Sequence, residues 1–280
     1  MGAPSLDKFR KELPSQFINA GVAEQNAILI SAGLTLVGKK VFVYSIAPFI
    51  TLRCLEQIRL NISLMGLPIT IVGVGAGVGY YKDGPTHHII EDISILRTFP
   101  NLVIHTISDN IMASAIAEIS YKMKAPNYVR LERQIIPVIY EKNTDFSKGL
   151  YVLRESKDFY IITCGVMVHL ALEVSDLLKK RKINVGVIDL FTLPIPEVFI
   201  DIIKKAKKIL TLEEHFLTGG LGSAVNEVLC DSKLFIPLER IGISRSKGYC
   251  YKYGEREVIW KYYNLDRKSI VERIINFIKY

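Results

Sequence analysis

Short β-branched runs alternate with amphipathic stretches along almost the whole chain, and this rhythm limits the fold more than any other feature. Residues 40–45 (KVFVYS), 69–74 (ITIVGV), 102–106 (LVIHT) and 128–131 (YVRL) read as strands bounded by Gly or Pro. Helical spacing fills 24–37, 49–65, 89–98 and 110–123 between them. Strands that are apolar on both faces and separated by helices make a parallel sheet covered on both sides. The rhythm pauses over the polar residues 141–149. It resumes with strands at 160–163, 184–190, 208–212 and 238–243 and helices at 168–180, 197–206, 222–229 and about 268–278. An α/β protein of two domains with parallel or mixed sheets is expected, 1–145 and 146–280. A chain of 280 residues is long enough for each half to bury its own core.

Composition narrows the setting. The four cysteines, Cys54, Cys164, Cys230 and Cys250, are far apart and form no C-x-x-C pair, so they read as thiols in a reducing compartment, not as disulfides or a zinc site. No apolar run reaches the ~18 residues of a membrane span, and the start carries no signal-peptide pattern. A cytoplasmic protein without a membrane partner is expected. The net charge of +8 comes from scattered lysines, as at 179–182 and 204–208, which fall at helix ends where cations suit the dipole. That pattern speaks against nucleic acid and leaves room for a phosphate-bearing substrate.

Several residues stand where chemistry is expected. Glu24 heads a helical segment, a place for proton chemistry on a buried ligand. The run GVGAGVG at 73–79 follows a strand but leads into a loop instead of a helix, which makes it a weak nucleotide signal. The loop DGPTHH at 83–88 puts Asp83, His87 and His88 ahead of a predicted helix, whose start would keep imidazole neutral and able to relay protons. A solvent-exposed loop with the His pair capping the helix is the alternative. Arg130 to Gln134 end a strand, where charged side chains point into the ligand crevice of a parallel sheet. Arg133 is then suited to fork onto a carboxylate or phosphate, or to pair with Glu132 at the surface. Glu213-Glu214-His215 followed by a Gly-rich helix start at 219–222 suits an anion or, by preference, close packing against a partner.

Taken in order, these segments resemble the C-terminal half of transketolase, and most of all the separate C-terminal subunit of two-chain forms. The match runs through FINAGVAEQN at 17–26, Arg53 with Glu56-Gln57-Ile58-Arg59, and DGPTHH at 83–88. It continues through Glu91-Asp92, Leu96-Arg97, Pro100-Asn101, VRLERQ at 129–134 and Glu213–His215 with 219–222. The resemblance implies a thiamine-diphosphate pyrimidine-binding domain followed by a transketolase C-terminal domain. It implies that Glu24 hydrogen-bonds N1′ of the aminopyrimidine and favours the imino form that activates thiazolium C2. Phe49 would stack on that ring, and Arg53 would belong to the cofactor site. Asp83, His87 and His88 would meet the donor sugar, and Arg133 the acceptor's phosphate.

The chain departs from the family pattern in three places. It has no G-D-G, so a partner chain with the diphosphate-binding domain is expected to hold the diphosphate and Mg2+, in a heterotetramer acting on sugar phosphates. Gly75 stands where the family has His, and Tyr81-Lys82 where it has Gly-Glu, which points to altered substrates. An opening helix, a strand and a phosphate-holding arginine are missing ahead of Glu24. Either a strand edge is exposed, or the natural start lies upstream of Met1. Ketol transfer by the paired chains is the leading reading. A deoxyxylulose-phosphate-synthase-like or 2-oxoacid-decarboxylating carboligase, and a non-catalytic scaffold subunit, are the alternatives.

Overall fold

The structure, a computed structural model, describes residues 4–279. Three short helical segments come first: Pro4–Leu6, α1 (Asp7–Glu12) and Pro14–Gln16. Helix α2 (Glu24–Leu36) follows, with Glu24 in its first turn, where free backbone N–H groups favour an acid. Gly38, at φ 85°, ends it. There the Gly38 N–H bonds the Thr35 carbonyl and the Lys39 N–H bonds that of Leu34, so two otherwise orphaned acceptors are satisfied.

The single helix expected over 49–65 is not continuous. After β1 (Val41–Ile46) the chain forms α3 (Ala47–Ile50), a 3-10 turn at Leu52–Cys54, α4 (Leu55–Gln57) and a π-wound stretch, Ile58–Leu64. Pro48 sits in the first turn of α3, where its missing N–H has no intrahelical partner to lose. Ile50, Cys54, Ile58 and Ile62 are all fully buried. That spacing of four is wider than the 3.6 of an α-helix, and the π winding accommodates it.

The first half continues with β2 (Ile69–Val74), α5 (Asp92–Leu96), β3 (Val103–Thr106), α6 (Asn110–Lys122) and β4 (Asn127–Leu131). Residues 132–150 contain no helix or strand. Then come β5 (Tyr151–Arg154), β6 (Phe159–Thr163), α7 (Met167–Lys180), β7 (Gly186–Asp189), β8 (Thr192–Leu193) and α8 (Val198–Ile203). The chain closes with β9 (Lys208–Phe216), α9 (Leu221–Asp231), β10 (Leu238–Ile243), α10 (Arg256–Tyr263) and α11 (Arg267–Lys279).

The described residues build two five-stranded mixed sheets, ordered β1-β2-β4-β3-β8 and β10-β9-β6-β7-β5. Each is parallel except for one edge strand. β5 runs antiparallel to β7, and β8 from the second half crosses over to pair antiparallel with β3. β1 is the opposite edge of the first sheet, and no strand precedes it among the described residues. The largest core cluster draws on both halves, with Ile28 and Ile71 in one group with Ile162, Ile188 and Phe199. No described helix is long and apolar enough to cross a membrane.

Candidate active site

Three neighbouring strands of the first sheet finish level with one another: Ile46 lies beside Val74, and Val74 beside Leu131. The segments that leave these ends carry Phe49 and Arg53 after β1, the loop of 75–91 after β2, and Glu132 with Arg133 after β4. Parallel strands aligned in this way gather their following loops over one crevice. α2 adds Glu24 to it.

The side chains form a continuous row. Glu24 Oε2 accepts from Arg53 Nη1 at 2.7 Å, while Ser45 Oγ reaches Oε1 at 3.4 Å. The Arg53 guanidinium lies 4.3 Å over the Phe49 ring, and Gln25 Nε2 donates to the Arg53 carbonyl at 3.1 Å. Phe49 meets His87 edge to face, with centroids 5.2 Å apart, and His87 meets Tyr80 at 5.8 Å. The Tyr80 ring carries the Arg133 guanidinium at 4.4 Å, and Arg133 Nη1 donates to Asp83 Oδ2 at 3.0 Å. Thr86 Oγ1 lies 3.0 Å from His87 Nδ1 and orients the imidazole. Glu24 is only 9% exposed, whereas the Arg53 side chain that covers it is 46% exposed. The carboxylate is therefore dry but capped by a group with room to move.

The row brings together Glu24, Arg53, Phe49, His87, Arg133 and Asp83. His88 stands apart from it. The helix expected at 89 begins only at Asp92, because the Ile89 N–H bonds the Gly77 carbonyl at 2.8 Å in an isolated β-bridge. The His pair thus sits in a loop. His88 turns inward, where burial lowers its pKa and Nε2 finds no hydrogen-bond partner. The Arg133 guanidinium pairs with Asp83 and not with Glu132, which accepts only the Arg133 main-chain N–H at 2.7 Å, and Arg130 does not enter the crevice at all. Its guanidinium is buried on Asp92, at 2.7 and 3.1 Å, beside the Tyr128 hydroxyl, which donates to the same carboxylate at 2.8 Å. Sequence reasoning passed over Tyr80; the only signal was its place in a Gly-rich loop opening from a strand end.

A second cluster seals the junction of the two halves. β9 extends four residues beyond the expected 212, and this draws Glu213, Glu214 and His215 into the interior. Arg256 donates to Glu214 at 2.8 and 2.6 Å, to Glu132 at 2.6 Å and to the Ala76 carbonyl at 3.4 Å. Trp260 and the Val78 N–H complete the shell of Glu214. Glu213 occupies the Gly-rich start of α9, accepting from the N–H groups of Leu221 at 2.7 Å and Gly222 at 3.0 Å. A Cβ on Gly220 would lie 2.0 Å from that carboxylate. The acceptor at this helix start is the chain's own side chain. Burial pushes the Glu213 carboxyl up to about 8, against the downward pull of those N–H bonds.

The family model described as transketolase, pyrimidine binding domain, matches residues 4–138, and that described as transketolase, C-terminal domain, matches 149–270. A transketolase C-terminal section of Methanocaldococcus jannaschii is 37% identical over 99% of this chain and 88% of its own length. A subunit of the apulose-4-phosphate transketolase of Phocaeicola vulgatus is 36% identical over 99% of this chain and 89% of its own. Among solved structures, a split-gene transketolase, described as an inactive beta4 tetramer, superposes with a TM-score of 0.87 at 31% identity. That match covers 100% of this chain and 89% of the other.

Proposed function

The chain belongs to the transketolase family, and from that premise we propose that it is the C-terminal subunit of a two-chain, thiamine-diphosphate-dependent transferase. The enzyme moves a two-carbon ketol unit from a ketose to an aldose. In this reading residues 1–145 are the pyrimidine-binding domain and 146–280 the C-terminal domain. The relative that acts on apulose 4-phosphate supports phosphorylated sugars as the substrate class.

The observation that carries the proposal is the open end of the row, where a nearly buried carboxylate adjoins an aromatic face. This pair fits a flat, nitrogen-bearing ring. Glu24 would hold the ring nitrogen and Phe49 would stack on the ring, once Arg53 swings off both. Thiamine diphosphate, when bound, supplies the carbon nucleophile. Glu24 shares a proton with the ring nitrogen, and its dryness keeps water from competing for that proton. His87, oriented by Thr86, and Asp83 serve the hydroxyl and carbonyl oxygens of the donor sugar. Arg133 offers its fork to an anionic terminus. His88, behind the row, supports the loop from inside.

The diphosphate and its Mg2+ fall to a partner chain carrying G-D-G, in a heterotetramer. The inactive beta4 tetramer of the split-gene relative supports a chain that self-associates and is idle alone. Reconstitution with such a partner tests the proposal. Ketol transfer is expected from the mixture and not from either chain. Thiamine diphosphate with Mg2+ should raise the melting temperature of the pair more than that of this chain alone. A mixture that binds the cofactor without transferring would leave a scaffold subunit instead.

A further inference from the structure

Gly75 has a φ of 88°, and a Cβ built on it would lie 2.1 Å from the Tyr80 ring. The ring fills the space that a side chain at 75 would take. Glycine is needed there twice over, for the backbone conformation and for the ring. Tyr80 in turn carries Arg133 on its face, 4.4 Å from Cζ to the ring centroid. A cation–π contact uses the plane of the guanidinium and leaves its N–H edge free for hydrogen bonds. Asp83 takes one Nη1 bond at 3.0 Å. With its side chain 44% exposed, Arg133 keeps further donors open to solvent.

A guanidinium held by its face and by one corner has little rotational freedom left to lose when a ligand arrives. Its free edge matches the paired oxygens of a tetrahedral oxyanion. We infer that Tyr80, seated over Gly75, is a positioning residue for substrate specificity. It sets the plane of Arg133 and thereby favours aldoses that end in an oxyanion such as phosphate over the same aldoses without one. The inference rests on the ketol-transfer reading of the site.

The test uses the reconstituted two-chain enzyme with ribose 5-phosphate and ribose as acceptors. Tyr80→Leu is expected to raise KM for ribose 5-phosphate about tenfold more than KM for ribose, while any change in kcat through the neighbouring His87 falls equally on both acceptors. Tyr80→Phe keeps the aromatic face and should bring the KM for ribose 5-phosphate back to within about threefold of the parent. Gly75→Ala displaces the ring and also strains the backbone at 75, so it should weaken ribose 5-phosphate at least as much as Tyr80→Leu does. Circular dichroism melts identify a variant that has not folded, in which case the Leu and Phe pair decides. Calorimetric binding of ribose 5-phosphate to the assembled pair gives the same contrast without turnover. A Tyr80→Leu enzyme that loses both acceptors equally, or neither, overturns the inference. Arg133→Gln separates the two levels. If it abolishes the preference for phosphate and Tyr80→Leu does not, only the role of Tyr80 fails. If it too leaves the preference intact, the reading of the acceptor site fails with it.

Discussion

The row from Glu24 to Asp83 and the cluster around Arg256 are made of the same kinds of side chain, and both stand at the ends of parallel strands. In the row, Arg53 and Arg133 are 46% and 44% exposed and each spends one N–H on a carboxylate. In the cluster, Arg256 is 8% exposed, Glu132 and Glu214 are 5% each, and the guanidinium donates four hydrogen bonds. Taking such a group out of water is costly, and only a full set of partners offsets the cost. Arg256 is therefore committed to holding the halves together, while Arg53 and Arg133 keep N–H edges open to solvent. Burial, more than residue type or strand position, separates a structural charge from a binding one.

Removing Glu24 should give the sharpest break between the two regions. Glu24→Ala is expected to cut kcat of the assembled enzyme by about 10²- to 10⁴-fold, with urea unfolding of the chain barely altered. Near-parental turnover would remove Glu24 from the chemistry. Arg256→Ala should do the reverse, costing about 3–5 kcal/mol of stability because two buried carboxylates lose their partner. A loss under about 1 kcal/mol would mean that the cluster behaves like a surface pair.

The pH dependence should follow the sealed side. Burial raises Glu213 to about 8 and Asp189, which accepts from the Tyr140 hydroxyl at 2.7 Å, to about 7. The folded chain then keeps protons that the unfolded chain releases near about pH 4. Stability from these groups is fully present below that pH and is lost as the pH rises to about 8. Asp189→Asn should flatten the part of the decline below about pH 7, read from urea midpoints across the range. An unchanged slope would show that Asp189 does not hold a proton in the fold. The smallest effect belongs to Arg53→Gln: the guanidinium is 46% exposed and water can take its place over the Glu24 carboxylate, so the pair should be worth no more than about 1 kcal/mol. Differential scanning calorimetry checks this, and a larger loss would place Arg53 with the structural charges.

Much of the fold was legible because strand and helix periods are local. Runs such as ITIVGV reveal a central parallel strand without any knowledge of its neighbours. Several crevice residues were legible for a similar reason: Asp83 and His87 lie in a Gly/Pro loop after a strand and Arg133 lies just past a strand end, whereas Phe49 was marked only by the family resemblance. The interruptions of 47–64 were not, since they depend on which of two nearby spacings the core rewards. β8 has only two residues and owes its existence to the free edge of β3. The end of β9 was hidden because Glu213, Glu214 and His215 look like a surface turn until their partners are known. His88 and Tyr80 eluded the reading because a loop's facing is set by its packing: a β-bridge at Gly77 for one, the open space over Gly75 for the other.

The sequence alone determined the main alternation of strands and helices, the family resemblance, and most of the acids, imidazoles and guanidinium groups that reach the crevice, among them Glu24, Asp83, His87 and Arg133. Only the tertiary structure decided which of those charges stay available. Glu132 and Arg256 are 124 residues apart in the chain and 2.6 Å apart in space, while Arg133, next to Glu132, faces solvent. The electrostatic worth of a charge depends on the water it loses and the partners it gains. Both are properties of the packed molecule, and no local pattern of residues encodes them.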